Sequence, residues 1–396
     1  MMTYLDNAAT TPLDPRVAQA MQPCLDATFG NPSSMHHAGR EARAAVDKAR
    51  AQVAALVGAE PAEIVFTGSG TEADNLALVG AFEVDETRRH FVTTAIEHPA
   101  VLETLKYLQS RGATLTQVKP GADGIVAAAD IAAALRPDTR LVSVMAANNV
   151  LGTLQPVAEI AALCREHGVL FHTDAVQAAG KIPLDVRASP FDLLSLSAHK
   201  LHGPKGVGAL FVRSGVRLAP IVHGGGQERG RRSATENVAG LVGFGAAAEI
   251  ALAERSCEAT RLVRLRDRLL ESVEAALPNV RLLGHRFRRL PGHLCLALEG
   301  QEGETIRLLL ALDEAGIAVS TGSACSASHA SEPSYVLLAT GLDPIRARGS
   351  LRLTLGRQND EADVDRFLSV FPEIVKNLRP VMSRPLTNPH PEGEAA

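Results

Sequence analysis

The chain has no excess of positive charge. Forty Lys plus Arg stand against 44 Asp plus Glu, a formal net charge of −4, so a polycation built for phosphate backbones is excluded and nucleic acid is not an expected partner. It lacks a long apolar run: the longest, Val238 to Ala248, is rich in Gly and Ala and falls well short of the roughly 20 residues that cross a bilayer, so no membrane partner is expected. The opening Met1-Met2-Thr3-Tyr4-Leu5-Asp6 has neither the basic start nor the apolar stretch of a secretion signal, which makes a cytoplasmic location the expectation. Cysteine is scarce and scattered, five residues at Cys24, Cys164, Cys257, Cys295 and Cys325 with no Cys-x-x-Cys pair. A disulfide framework and a cysteine-built zinc site both lose support, and with no His-Glu-x-x-His no structural metal is expected. What is present is apolar substance: 46 % hydrophobic residues over 396 positions, enough for two to three domains at about 150 residues each.

Short β-branched runs alternate with Ala/Leu/Glu/Arg-rich stretches from about residue 16 to 250, the pattern of a mainly parallel sheet covered by helices. The predicted strands are Ile64–Thr67, His90–Ala95, Thr114–Val118, Leu141–Met145, Val169–Thr173, Leu193–Ser197 and Gly208–Val212, with helices such as Arg40–Leu56, Ala100–Ser110 and Pro156–His167 between them. A long helical stretch, Val238 to Ala276 with a break expected near Ser256, leads to isolated strands and helices of a smaller α+β domain. The expected division is an N-terminal segment 1–15 packing with the small domain, a large α/β domain 16–255, a small domain 256–381, and a disordered tail 382–396 without apolar period.

In an open α/β sheet a ligand sits beyond the carboxyl ends of the strands. After Ile64–Thr67 comes Gly68-Ser69-Gly70-Thr71-Glu72, with a helix expected to open at Ala73; its backbone N–H groups and the Thr71 hydroxyl suit a phosphate, against a dinucleotide fingerprint or a plain cap turn. Asp174 follows Val169–Thr173. A carboxylate there can keep a pyridinium nitrogen protonated, as a pyridoxal cofactor needs, or simply cap a turn. Ser197-Ala198-His199-Lys200 closes another strand, and a lysine partly desolvated at that place can form a Schiff base, the alternative being a solvated charge. His98, before Pro99, offers a flat imidazole to a cofactor ring or caps the following helix. Asn149 and Gln177 also lie just past strand ends, where amides can bond a phenolic oxygen or a carboxylate. The odds change because these groups occur together, each at a strand end of one sheet.

A second signal is Ser320-Thr321-Gly322-Ser323-Ala324-Cys325-Ser326-Ala327-Ser328-His329-Ala330-Ser331. Such small polar residues cannot pack a core, so an exposed, mobile loop carrying a reactive thiol at Cys325 is expected, whereas Cys164 and Cys295 read as buried and inert. Arg352, alternating with apolar neighbours, either clamps a carboxylate in a cleft or makes an internal ion pair.

Tyr4-Leu5-Asp6-Asn7-Ala8-Ala9-Thr10-Thr11-Pro12, Gly30-Asn31-Pro32-Ser33-Ser34, Ser197-Ala198-His199-Lys200, Gly224-Gly225-Gly226-Gln227-Glu228-Arg229 and Gly322-Ser323-Ala324-Cys325 together resemble the NifS/IscS-type cysteine desulfurases, most like NifS, within the class V group of pyridoxal-phosphate enzymes. The resemblance runs from about Tyr4 to about Asp365. It implies an α/β fold of pyridoxal-phosphate fold type I, with a mainly parallel seven-stranded sheet in the large, cofactor-binding domain. It further implies a homodimer that converts L-cysteine to L-alanine and passes the sulfur, as a persulfide on Cys325, to an iron–sulfur scaffold or another acceptor protein. By the same resemblance Lys200 is the Schiff-base lysine, Asp174 meets the pyridine nitrogen, Gln177 the phenolic oxygen, and His98 stacks on the ring. Gly70, Thr71, Ser197 and His199 hold the phosphate, Thr235 reaches the phosphate of the neighbouring subunit, and Asn149 and Arg352 hold the substrate carboxylate. Lys200 or His98 is the base at Cα, and Cys325 can transiently ligate a cluster iron during transfer. A selenocysteine lyase, or a pyridoxal-binding scaffold without catalysis, is the alternative. The sequence departs from the pattern at Val150, where a glutamate is usual, at Ala234, where a glycine is usual, and in a cysteine loop one residue longer.

Overall fold

The computed structural model describes residues 2–321 and 333–378; Cys325 and the expected tail 382–396 lie outside the described residues. Twelve strands are described: β1 (Thr3–Tyr4), β2 (Ile64–Thr67), β3 (His90–Thr94), β4 (Thr114–Val118), β5 (Thr139–Ser143), β6 (Leu170–Asp174), β7 (Leu193–Ser197), β8 (Gly208–Val212), β9 (Val280–Leu282), β10 (His293–Leu298), β11 (Ile317–Ala318) and β12 (Ser350–Thr354). Seven of them form the central sheet in the order β2-β8-β7-β6-β5-β3-β4. Strand β8 runs antiparallel to both its neighbours, while the remaining pairs are parallel. The six co-directional strands therefore present their carboxyl ends at one edge, as the alternation of strands and helices predicts. Four of the seven expected strands match to the residue; β5 begins two residues before the expected Leu141, and β6 ends on Asp174 itself.

Strands β2, β3, β7 and β8 are buried along their whole length, which explains why they read as short apolar runs without polar alternation. The core on one face gathers Val46, Val53, Phe66, Phe171, Phe211 and Phe244; that on the other gathers Val65, Leu76, Phe82, Phe91, Leu105 and Leu210.

Helices α1 (His37–Val57), α2 (Gly70–Glu83), α3 (Pro99–Ser110) and α4 (Val238–Ala276) bear on the site. Helix α4 is continuous through 39 residues, and the break expected near Ser256 does not occur. The polar residues there bond back to their own helix, Thr260 Oγ1 to Ser256 O at 3.0 Å and Cys257 Sγ to Glu254 O at 3.1 Å, and Arg261 pairs with Glu258 one turn away at 2.8 Å. Polarity at this point marks the passage between two cores rather than a helix end. Its first half packs on α1 through Gly245, where a Cβ would stand 2.7 Å from the Ala49 Cα. In its second half Leu265, Leu269 and Val273 enter a separate core with Leu294, Leu296, Leu351 and Phe367.

That second core lies on the antiparallel sheet β12-β10-β9. The N-terminal residues are sewn into it: β1 pairs with β11, Asp6 bridges Thr354, and Asn7 Nδ2 donates to Thr354 O at 2.7 Å. The chain then continues to the carboxyl edge of the large sheet. Among the described residues, no helix is long and apolar enough to cross a membrane.

Candidate active site

Thr67, Thr94, Ser143, Asp174 and Ser197 end five parallel strands, and the segments after them line a cavity of ≈ 310 Å³. Its walls include Gly70, Thr71, His98, Asn149, Asp174, Gln177, Ser197, His199, Lys200 and Arg352. Ten of the residues singled out from sequence thus meet in one space. Thr235 does not; it is exposed, outside this cavity of its own chain.

Helix α2 opens at Gly70, three residues earlier than expected. Ser69 is the reason: its hydroxyl accepts the Glu72 N–H at 3.0 Å, and the Glu72 carboxylate reaches back to the Gly68 N–H at 2.7 Å. The first-turn N–H groups, at Gly70 and Thr71, therefore point to the cavity with the positive end of the helix dipole behind them, a cradle for a phosphate. A Cβ on Gly70 would stand 2.8 Å from Val176 Cγ2 and 3.3 Å from Ser197 Cβ, so only glycine lets the helix start so close to the sheet.

His98 caps α3, its Nδ1 accepting the Ala100 N–H at 3.1 Å. Capping and facing the cavity are compatible: the bond fixes the ring and leaves Nε2 available. Asp174 accepts the Val176 N–H at 2.9 Å. Burial pushes its carboxyl above the ordinary value, while the neighbouring His98 and Lys200 oppose the rise; a cation delivered into the cavity would favour its ionised form. Burial, and then the charge of Lys200, hold His199 down to about 4, so it is neutral near pH 7, with Nδ1 beside Thr10 Oγ1 at 3.1 Å. Lys200 Nζ donates to Ala8 O at 2.5 Å and to Ala9 O at 2.8 Å, bonds that tie it to the N-terminal segment.

Of the two sequence readings of Arg352, the internal ion pair is present, and the residue also lines the cavity. One Nη donates to Asp6 Oδ1 at 2.8 Å, the other to Asn149 O at 3.0 Å, and its buried Nε has no hydrogen-bond partner among the described residues. An ion pair holds the guanidinium in place at the edge of the cavity that Arg352 lines. Burial of Cys164 and Cys295 raises both thiols to about 12, in keeping with inert core residues.

Sequence reasoning missed Asp6, Asp74, Glu97 and Lys181. Asp74 lines the cavity, buried, with His172 Nε2 3.6 Å from its Oδ1; its place on the inner face of α2, four residues past Gly70, is a signal periodicity could have supplied. Glu97 is fully buried next to His98, accepting from Thr94 Oγ1 at 2.6 Å and from the Met145 N–H at 3.0 Å. Val150, where the resemblance leads to the expectation of a glutamate, sits in an apolar cluster with Ile96, Leu151, Cys295, Val336 and Leu337.

An anion cradle, an inward carboxylate, a flat histidine and a lysine around one cavity, beside an arginine, suit a phosphorylated, aromatic, cationic ring and a small carboxylate substrate. The buried, unpartnered Arg352 Nε and the Gly70 cradle are the features of this chain that pyridoxal phosphate and an amino acid would fit. The chain belongs to the class-V aminotransferase family, whose model matches residues 3–367, and is accordingly a pyridoxal-phosphate enzyme. It is 46 % identical over 379 residues to the cysteine desulfurase IscS of Dictyoglomus turgidum, covering 96 % of this chain and 95 % of that protein. It is 47 % identical over 377 residues to the cysteine desulfurase IscS of Methanosarcina thermophila, covering 95 % and 92 %. Among solved structures, a NifS-like protein superposes with a TM-score of 0.88 at 39 % identity, covering 95 % of this chain and 100 % of the other. SspA in complex with cysteine superposes with a TM-score of 0.80 at 36 % identity, covering 89 % and 98 %.

Proposed function

We propose that the protein is a cysteine desulfurase that takes the sulfur of L-cysteine onto Cys325 and releases L-alanine. The observation that carries this reading is the single cavity shared by Lys200, Asp174, His98 and Arg352. Bound pyridoxal phosphate supplies the electron sink for the pair left at the substrate Cα when its proton departs.

The Gly70 and Thr71 N–H groups, the Thr71 and Ser197 hydroxyls and His199 would hold the phosphate. Asp174 would keep the ring nitrogen protonated, the Gln177 amide would serve the phenolic oxygen, and His98 would lie against the ring. Asn149 and Arg352 fix the substrate carboxylate, which orients Cα toward Lys200. Lys200 Nζ, or His98 Nε2, then accepts the Cα proton and later returns one. Cys325, as thiolate, attacks the substrate sulfur: the sulfur–Cβ bond breaks, a sulfur–sulfur bond forms, and the carbon skeleton takes up protons to leave as alanine. A nucleophile among small polar residues can then hand its persulfide sulfur to an iron–sulfur scaffold or another acceptor.

Residues 16–255 form the cofactor-binding domain in this reading, 256–381 the domain that carries Cys325, and residues 1–15 close against the latter. Two chains act as a homodimer, each lending Thr235 to the phosphate of the other, in the cytoplasm. Purified protein given L-cysteine and a reductant should yield sulfide and alanine in equal amounts, and both should collapse in Cys325→Ala. Sulfide released by Cys325→Ala at the native rate would overturn the role of Cys325. Cofactor uptake without alanine would overturn the choice of substrate.

A further inference from the structure

A second, smaller cavity of ≈ 70 Å³ lies on the other side of Lys200, lined by Gly180, Lys181, His202, Arg255, Leu262 and Leu290 among others. Ala8, Gln177 and Lys200 line both this cavity and the larger one, so they form the wall between them. Behind that wall sits Lys181, a residue that neither the motifs nor the proposed chemistry assigns. The turn that places it is specific: Lys181 N–H donates to Ala178 O at 3.0 Å, and Gly180 has φ +71° with its missing Cβ 2.7 Å from Leu201 Cδ2. Lys181 Nζ donates to Gln177 Oε1 at 3.4 Å, Gln177 Nε2 donates to Ala8 O at 2.9 Å, and Ala8 O also accepts from Lys200 Nζ at 2.5 Å.

Two consequences follow from donor and acceptor chemistry. While Lys181 is charged it can only donate, which holds the Gln177 amide with its oxygen toward Lys181 and its NH₂ toward Ala8 O. A positive charge so near Lys200 opposes a second proton there. The groups around Lys181 do not relieve that charge: His199, Lys200 and His202 come from the segment after β7, His293 from β10, Arg357 from beyond β12, and Arg255 from α4. Glu258, the one carboxylate lining this cavity, is paired with Arg261 at 2.8 Å.

We propose that Lys181 is a positioning residue for the cofactor site: from the rear cavity it fixes the Gln177 amide and keeps the Lys200 amine short of protons. This rests on the reading of Lys200 as the cofactor lysine. Burial, and then the charge of Lys200, bring Lys181 itself down to about 7.

The test is a pH titration of the visible absorbance of the holoenzyme. Lys181→Met keeps the length of the side chain and removes its charge, and it should raise the titration midpoint by about one unit. Lys181→Arg keeps the charge and should leave the midpoint at or below that of the wild type. Thermal unfolding run alongside registers a purely structural effect, which would lower both melting temperatures without ordering the midpoints by charge. Lys181→Gln serves in place of the methionine variant if the latter does not fold. A cofactor-loaded Lys181→Met with an unshifted midpoint would overturn this inference alone. A wild-type protein that takes up no pyridoxal phosphate would overturn the underlying reading and the inference with it.

Discussion

Arg352 is where the chemistry of one side chain is most exposed to test. Its two Nη groups are occupied by Asp6 and Asn149 O, so a substrate carboxylate in the cavity it lines meets its positive charge. Arg352→Gln should lower kcat/KM for L-cysteine roughly ten- to a hundredfold, since a hydrogen bond to a charged group is worth about 1.5–3 kcal/mol. Steady-state kinetics should place most of that loss in KM; a loss confined to kcat would assign Arg352 to the chemical step instead. Ala234 makes a second residue-scale case. Its φ is +130°, a region that suits glycine, and its N–H is held by Gln227 Oε1 at 3.0 Å. Ala234→Gly should stabilise the fold by about 1 kcal/mol, relief of backbone strain outweighing the extra freedom of glycine in the unfolded chain. Chemical denaturation measures it, and a destabilised variant would mean that the strained backbone costs nothing here. The arginine was legible as a candidate because it interrupts an apolar alternation; its partner Asp6 was not, because nothing local announces a contact across 346 residues.

At the scale of elements, a buried ion pair holds the segment that carries Thr235 to the large domain. Arg50 of α1 donates to Glu228 through both Nη groups, at 2.6 and 2.7 Å, and to Ile64 O at 3.0 Å, while Glu228 also accepts the Phe66 N–H at 2.9 Å. Helix α1, strand β2 and the turn at Glu228–Gly230 are thus joined at one point, and the turn keeps left-handed backbone at Glu228 (φ 47°) and Arg229 (φ 58°). Arg50→Met should cost about 3–5 kcal/mol, because the Glu228 carboxylate would stay buried without its counter-charge. A double variant with Glu228→Gln should recover part of the loss in urea unfolding, and its failure to do so would show that packing, not charge, sets the cost. Elements of this sheet were readable from sequence because β2, β7 and β8 are short, apolar and bounded by turn residues. Helix α4 was misread at Ser256 because a polar patch looks the same whether a helix stops or crosses from one core to another. Only the contacts of Leu265 and Leu269 with the second core decide between the two, and they join residues far apart in the chain.

For the whole molecule, the buried titratable groups around the cavity make stability depend on pH in two opposed ways. His172 lies between Ser143 Oγ at 2.8 Å and Ser195 Oγ at 3.0 Å, and burial holds it down to about 3. Its unfolded form takes a proton below its ordinary value of 6.5 and the folded form does not, so its contribution is present above that value and is lost as pH falls. Glu97 acts in the reverse sense. Burial lifts its carboxyl to about 8 against an ordinary 4.5, so the folded protein keeps a proton that the unfolded chain releases. That contribution is complete below 4.5 and is lost as pH rises through 8, with a slope of up to about 1.4 kcal/mol per pH unit. Glu97 also stands at a junction of the two halves, since Tyr335 Oη donates to its carbonyl at 2.6 Å, so the loss should be felt in global unfolding. Glu97→Gln mimics the protonated acid, keeping an acceptor for Thr94 and the Met145 N–H without a proton to release. Denaturation midpoints at pH 5.5 and 7.5 should fall less between the two for Glu97→Gln than for the wild type. Equal falls would mean that Glu97 does not hold its extra proton in the folded protein.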